Sequence, residues 1–156
     1  MKASANIGGH PIHPMLVSIP IGLWVFSLAA DLIFMWRGNP AWELVAFYTL
    51  AGGCVGAALA AVFGLIDLLA IKDSQVFRTG LFHAACTATS LVIFAASFYL
   101  RTANGSNMVG ANSKIPFVLS LVGVIILAVA GWLGGELVFR YGAGVETQAG
   151  SNGERE

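Results

Sequence analysis

Residues Leu44 to Ile66 read LVAFYTLAGGCVGAALAAVFGLI, without one charged side chain. A helix that crosses a bilayer needs about 20 consecutive, mostly apolar residues, and this run meets that length by itself. Its apolar character continues to Ile71. Three further stretches qualify: Met15 to Trp36, broken only by Asp31; Thr79 to Leu100; and Ile115 to Gly135, extended by Leu137 to Phe139. Hydrocarbon offers the backbone no partners, so only helices and closed barrels span it. Runs of this length without period-two alternation select helices. The expected fold class is all-α, an integral membrane four-helix up-down bundle. Its helices are expected at about 15–36, 42–71, 79–100 and 115–140.

Composition agrees. Of the 156 residues, 57% are hydrophobic and 10% charged, and the mean hydropathy is +0.79. Soluble domains carry about 25% charged residues. Eight Lys and Arg balance eight Asp and Glu, which argues against a basic nucleic-acid binder and predicts no nucleic-acid partner. Cys54 and Cys86 lie inside apolar runs and form neither a disulfide framework nor a CxxC knuckle.

The connections are polar: Arg37-Gly38-Asn39-Pro40, Lys72-Asp73-Ser74-Gln75, and a Gly/Asn/Ser-rich loop from Thr102 to Lys114 that reads as mobile. Residues 1–14 read as an interfacial segment, residues 15–141 as the membrane domain, and residues 142–156 as a disordered tail. Four spans put both termini and the second loop on one side, with Lys2, Lys72, Arg78, Arg140 and Arg155. Arg37, Arg101 and Lys114 lie on the other. The positive-inside rule makes the first side cytoplasmic, so the expected location is the inner (cytoplasmic) membrane with cytoplasmic termini. A cleaved signal peptide is disfavoured by the length of the first run, by Pro20 and by Asp31.

Gly52, Gly56, Ala60 and Gly64 recur every fourth residue, beside a second row of Gly53, Ala57 and Ala61. Such strips admit close backbone approach. The strip reads as packing within the bundle, as a homodimer surface, or as a slot for a flat cofactor.

The ionisable groups inside the spans cluster at one depth. His10 and His13 lie in Gly8-Gly9-His10-Pro11-Ile12-His13-Pro14, just ahead of the expected first helix. Asp67, His83 and Glu136 each fall about 6–8 Å inside the charged border at 1.5 Å per helical residue. Taken singly, each has a plain reading. Asp67 can pair with Lys72 or Arg78, and Glu136 with Arg140 one turn on. His83 can be a hydrogen-bonded packing residue, and His13 an N-terminal capping element before Pro14. Together they place all three histidines of the chain at one face. Asp31, near Arg37 at the opposite end, reads as an interfacial charge with no chemistry. Trp24, Trp42 and Trp132 read as packing or belt residues.

Imidazoles and carboxylates in one layer suit a zinc or iron site, a haem held by two axial imidazoles, or a proton relay or quinone site. The reading adopted is a site for haem b or a transition metal serving electron transfer. His13 and His83 are the preferred ligands and His10 the next, with Asp67 and Glu136 as orienting groups, proton acceptors or further metal ligands. The alternative is a cofactor-free scaffold or anchor whose polar layer is structural. A proton-coupled carrier is the third reading, weakened by the lack of an evident inverted repeat. Walker, Rossmann, nucleophile-elbow and HExxH patterns do not occur.

The stretch from Gly9 through His10-Pro11-Ile12-His13-Pro14 to Val17 resembles the opening of a family of small bacterial membrane proteins, the domain of unknown function 2231. The likeness continues through Gly64-Leu65-Ile66-Asp67, His83 and Gly131 to Gly142, and covers roughly Gly8 to Val145. It implies a four-helix membrane protein, fused in some relatives to a Rieske-type iron–sulfur domain, which tilts the reading toward redox chemistry. This chain carries no such cysteines, so an electron partner is expected to be a separate protein. The expected partners are thus the lipid bilayer, that redox protein, and a second copy through the Gly52/Gly56/Ala60/Gly64 strip.

Overall fold

The computed structural model describes residues 4–103 and 114–145. The expected mobile loop lies largely outside these residues, and the expected disordered tail does so from residue 146 onward. A short antiparallel hairpin, β1 (Asn6–Ile7) and β2 (His10–Pro11), leads into four helices. These are α1 (Ile12–Arg37), α2 (Pro40–Leu69), α3 (Ser74–Ala103) and α4 (Ile115–Gly135), the last continued by a π-helical turn, Glu136–Arg140. All four are long and apolar enough to cross a membrane. The all-α membrane bundle is what the sequence led us to expect.

Local chemistry sets the element ends. Gly8 and Gly9 both have positive φ, as a two-residue turn between right-twisted strands demands. Gly38 closes α1 in the left-handed region and donates to the Phe34 carbonyl. Asn39 caps α2 through its side chain, with Pro40 at the first helical position. The Asp73 carboxylate accepts from the backbone N–H groups of Gln75 and Val76 and so starts α3. α1 begins three residues before the expected start, which puts His13 in its first turn rather than ahead of it.

The helices pack as two hairpins, α1 with α2 and α3 with α4, in closer contact within each hairpin than between them. The hairpins follow one plan. Ser27 Oγ donates to a carbonyl 19 residues on, Ala46, and Ser97 Oγ does the same to Pro116, also 19 residues on. His13 bonds the Ala60 carbonyl and His83 the Ala130 carbonyl, each across 47 residues. Gly53 makes room for Trp24, and Gly123 for Phe94. Each of these features of the first hairpin has its counterpart 70 positions later, the separation that also divides Asp31 from Arg101.

Between the hairpins, counterparts meet each other. Trp24 stacks on Phe94 with ring centroids 4.2 Å apart, Asp31 pairs with Arg101, and His13 faces His83. A residue that touches its own counterpart lies on the two-fold axis relating the copies. Because α1 and α3 run the same way, that axis runs along the bundle, making this a parallel repeat rather than an inverted one. The core sits on the axis: Trp24, Leu50, Phe94 and Leu127, with Cys54, Ala57, Leu91, Phe98 and Val124 around them. The outer faces carry exposed apolar side chains, and Trp36 and Trp132 lie exposed near opposite faces, as belt residues do.

The small-residue strip of α2 is filled from within. A Cβ added at Gly52 would lie 3.3 Å from Leu23, at Gly56 3.4 Å from Pro20, and at Gly64 2.7 Å from His13. All three neighbours belong to α1. The strip is therefore an intrachain interface, and the expected homodimer surface and cofactor slot along it are corrected to that.

Candidate functional site

His13 reaches from the first turn of α1 across to α2, where its Nδ1 lies 2.8 Å from the Ala60 carbonyl oxygen. A carbonyl only accepts, so Nδ1 carries the proton. Within α2 the same carbonyl faces the N–H four residues on, that of Gly64, and its two lone pairs can serve both donors. A Cβ at Gly64 would sit 2.9 Å from His13 Nδ1. Only glycine lets the ring lie against the helix there.

The second hairpin repeats this arrangement. His83 Nδ1 donates to the Ala130 carbonyl at 2.8 Å, and a Cβ at Gly134 would approach His83 Cε1 to 3.2 Å. The two half-buried rings lie edge-on to one another, with centroids 6.4 Å apart and planes at 87°. With Nδ1 engaged by a carbonyl in both, Nε2 is the ring nitrogen left for a ligand. A backbone carbonyl holding the distal N–H is the usual support of a metal-ligating histidine. Were a metal or haem to bind here, His13 and His83 would be the residues to hold it.

The other expected site residues have other engagements. His10 lies exposed on β2, cross-strand from Ile7. Asp67 pairs with neither Lys72 nor Arg78. Its Oδ1 accepts the Ala5 backbone N–H at 2.9 Å, tying the N-terminal hairpin to α2. Glu136 forms the expected one-turn pair with Arg140 at 2.9 Å, partly exposed within the π-helical turn. Among the described residues, no three His, Cys, Asp or Glu side chains form a group able to hold a metal ion. Of the five expected residues, His13 and His83 are the two that converge.

At the far end of the axis the expectation for Asp31 is corrected. It pairs not with Arg37, whose guanidinium lies over the Trp36 ring, but with Arg101. Both side chains are 0% exposed, joined by two parallel hydrogen bonds of 2.9 and 2.6 Å. Ser97 Oγ lies 3.5 Å from Arg101 Nε, and Ser120 Oγ lies 3.5 Å from its Nη2. Arg101 is thus a core residue, not a loop charge.

Comparison with known proteins covers all of these positions except Ala5 and Ile7. A family model described as a predicted membrane protein, DUF2231, matches residues 9–147. The chain belongs to the DUF2231 family. No curated protein and no solved structure matches it. The tandem hairpin of this DUF2231 chain is the feature that sequence reading missed, and a signal for it existed. Sliding the chain 70 positions along itself places His on His, Ala60 on Ala130 and Ser27 on Ser97. The same shift sets Gly53 on Gly123 and Gly64 on Gly134.

Proposed function

We propose that the protein binds a redox cofactor, haem or a transition metal, between His13 and His83 and passes electrons at one membrane face. The observation that supports this is the convergence of the two imidazoles at 6.4 Å, each locked by a carbonyl in the tautomer that leaves Nε2 as the donor atom. A haem or metal held by His13 and His83 would supply electron exchange with a partner. His13 stands in the first turn of α1, close to where the chain enters the bilayer, within reach of a separate redox protein. Cytoplasmic placement of that face follows the surplus of Lys and Arg there. Burial of Arg101 against Asp31 leaves Arg37 and Lys114 as the basic side chains of the opposite face and widens that surplus.

The test is the absorption spectrum and metal content of protein purified from a haem-replete host. A Soret band, or a stoichiometric transition metal that is lost in both His13→Ala and His83→Ala, is the expected result. A colourless, metal-free preparation overturns the proposal and leaves the cofactor-free scaffold. That alternative draws on the satisfied Asp31–Arg101–Ser97–Ser120 network, and it predicts that His83→Ala lowers thermal stability while removing no ligand.

A further inference from the structure

We infer that the occupant of the histidine site is an iron tetrapyrrole seated on the internal two-fold axis, taking one axial imidazole from each hairpin with the two imidazole planes crossed. This rests on the cofactor reading above and narrows it from any redox metal to one class of ligand.

Three observations lead there. First, the axis is closed by direct contact at its other two levels. Trp24 stacks on Phe94 at 4.2 Å, and Arg101 bonds Asp31 at 2.6 Å, so neither level leaves a gap between counterparts. At the His13–His83 level the ring centroids stand 6.4 Å apart, a spacing that would admit one metal ion held at about 2 Å by a nitrogen of each ring. Second, the two imidazoles have the same surroundings: a carbonyl 47 residues on and a glycine beside the ring. A ligand with two equivalent faces meets such a site equally on both sides, and haem iron presents two equivalent axial positions. A molecule with unlike ends would need unlike partners. Third, a bare zinc ion takes about four ligands. Among the described residues no third His, Cys, Asp or Glu joins the pair. A tetrapyrrole supplies the four equatorial nitrogens itself.

The ring planes at 87° make the inference specific. Crossed imidazoles leave the two iron dπ orbitals that they address nearly equal in energy. Oxidised low-spin iron then gives a highly anisotropic resonance with one dominant low-field feature. Parallel imidazoles split those orbitals and give a three-line rhombic signal.

The experiment is electron paramagnetic resonance of the oxidised, full-length protein carrying the haem with which it is purified, with His13→Gly and His83→Gly alongside. The single low-field signal is expected in the parent. Either glycine variant should change from six-coordinate low-spin to five-coordinate high-spin iron, and added imidazole should restore the low-spin form. A rhombic parent signal overturns the crossed geometry. A six-coordinate spectrum that survives loss of either histidine overturns the sharing between halves. In both of those cases haem is bound and the broader proposal stands. A protein without haem but with a stoichiometric metal overturns the inference alone, and one with neither overturns both. If a glycine variant fails to fold, the parent signal decides by itself.

Discussion

Replacing Arg101 by Met tests the axis where it is most exactly built. The guanidinium gives Asp31 two charge-assisted hydrogen bonds, at 2.9 and 2.6 Å, and neither side chain has any exposed surface. Without Arg101 the carboxylate, which has no exposed surface, loses its cation partner. Breaking a buried pair from one side costs about 3–5 kcal/mol, a change of two to nearly four powers of ten in the folding constant at about 1.4 kcal/mol per tenfold. Removing both charges is another matter. Asp31→Leu with Arg101→Met leaves an apolar contact on the axis, and such exchanges are commonly neutral or stabilising by about 1–4 kcal/mol. The chain carries its own control in the Glu136–Arg140 pair, also at 2.9 Å but with Arg140 65% exposed. Arg140→Gln should cost no more than about 0.5 kcal/mol. Reversible unfolding in mixed micelles at rising SDS fraction reads all four proteins on one scale. The reasoning is refuted if Arg101→Met costs as little as Arg140→Gln, or if the double variant is as unstable as the single one.

Three other outcomes follow from the same geometry. Gly64→Ala should destabilise the protein by about 1–3 kcal/mol through overpacking, and more than Gly134→Ala. The added methyl would lie 2.7 Å from His13 Cε1 in the first case and 3.2 Å from His83 Cε1 in the second; thermal unfolding in detergent ranks the two. Trp24, 2% exposed, should escape quenching by brominated lipid, whereas Trp36 and Trp132, 77% and 76% exposed, should be quenched; single-tryptophan variants reconstituted in vesicles report this. Asp67→Leu removes the acceptor of the Ala5 N–H, a charged hydrogen bond of about 1.5–3 kcal/mol. Amide exchange over residues 5–12 should then quicken, with α3 and α4 unchanged.

The fold was legible because a bilayer demands one property that can be counted along the chain. Residues Leu44 to Ile66 contain no charge, and no arrangement of neighbours is needed to interpret that. The site was half legible. Depth follows from position within a helix, so the layer holding His13 and His83 could be placed. Direction around the helix depends on partners that sequence distance hides. Asp31 illustrates the difference: Arg37 is nearer in sequence, yet Arg101, 70 residues away, occupies the same axis. The small-residue strip likewise announced a close approach without naming the approaching helix, which proved to be α1 carrying Pro20, Leu23 and His13.

The repeat also says which on-axis residues are free to differ. A tandem copy begins by setting every axial side chain against its own duplicate. Two aspartates at the Asp31 level would repel in a dry interior, so that level requires unlike partners, and it has Asp31 against Arg101. An aromatic level needs only two flat rings of suitable volume, and Trp24 against Phe94 satisfies it. At the third level two like imidazoles meet with planes at 87°, each held through Nδ1 by a carbonyl of its own hairpin. Either could be replaced by a residue that filled the same space. The identical pair suits the proposed ligand site, because a ligand held on the axis would draw on the same side chain from each half.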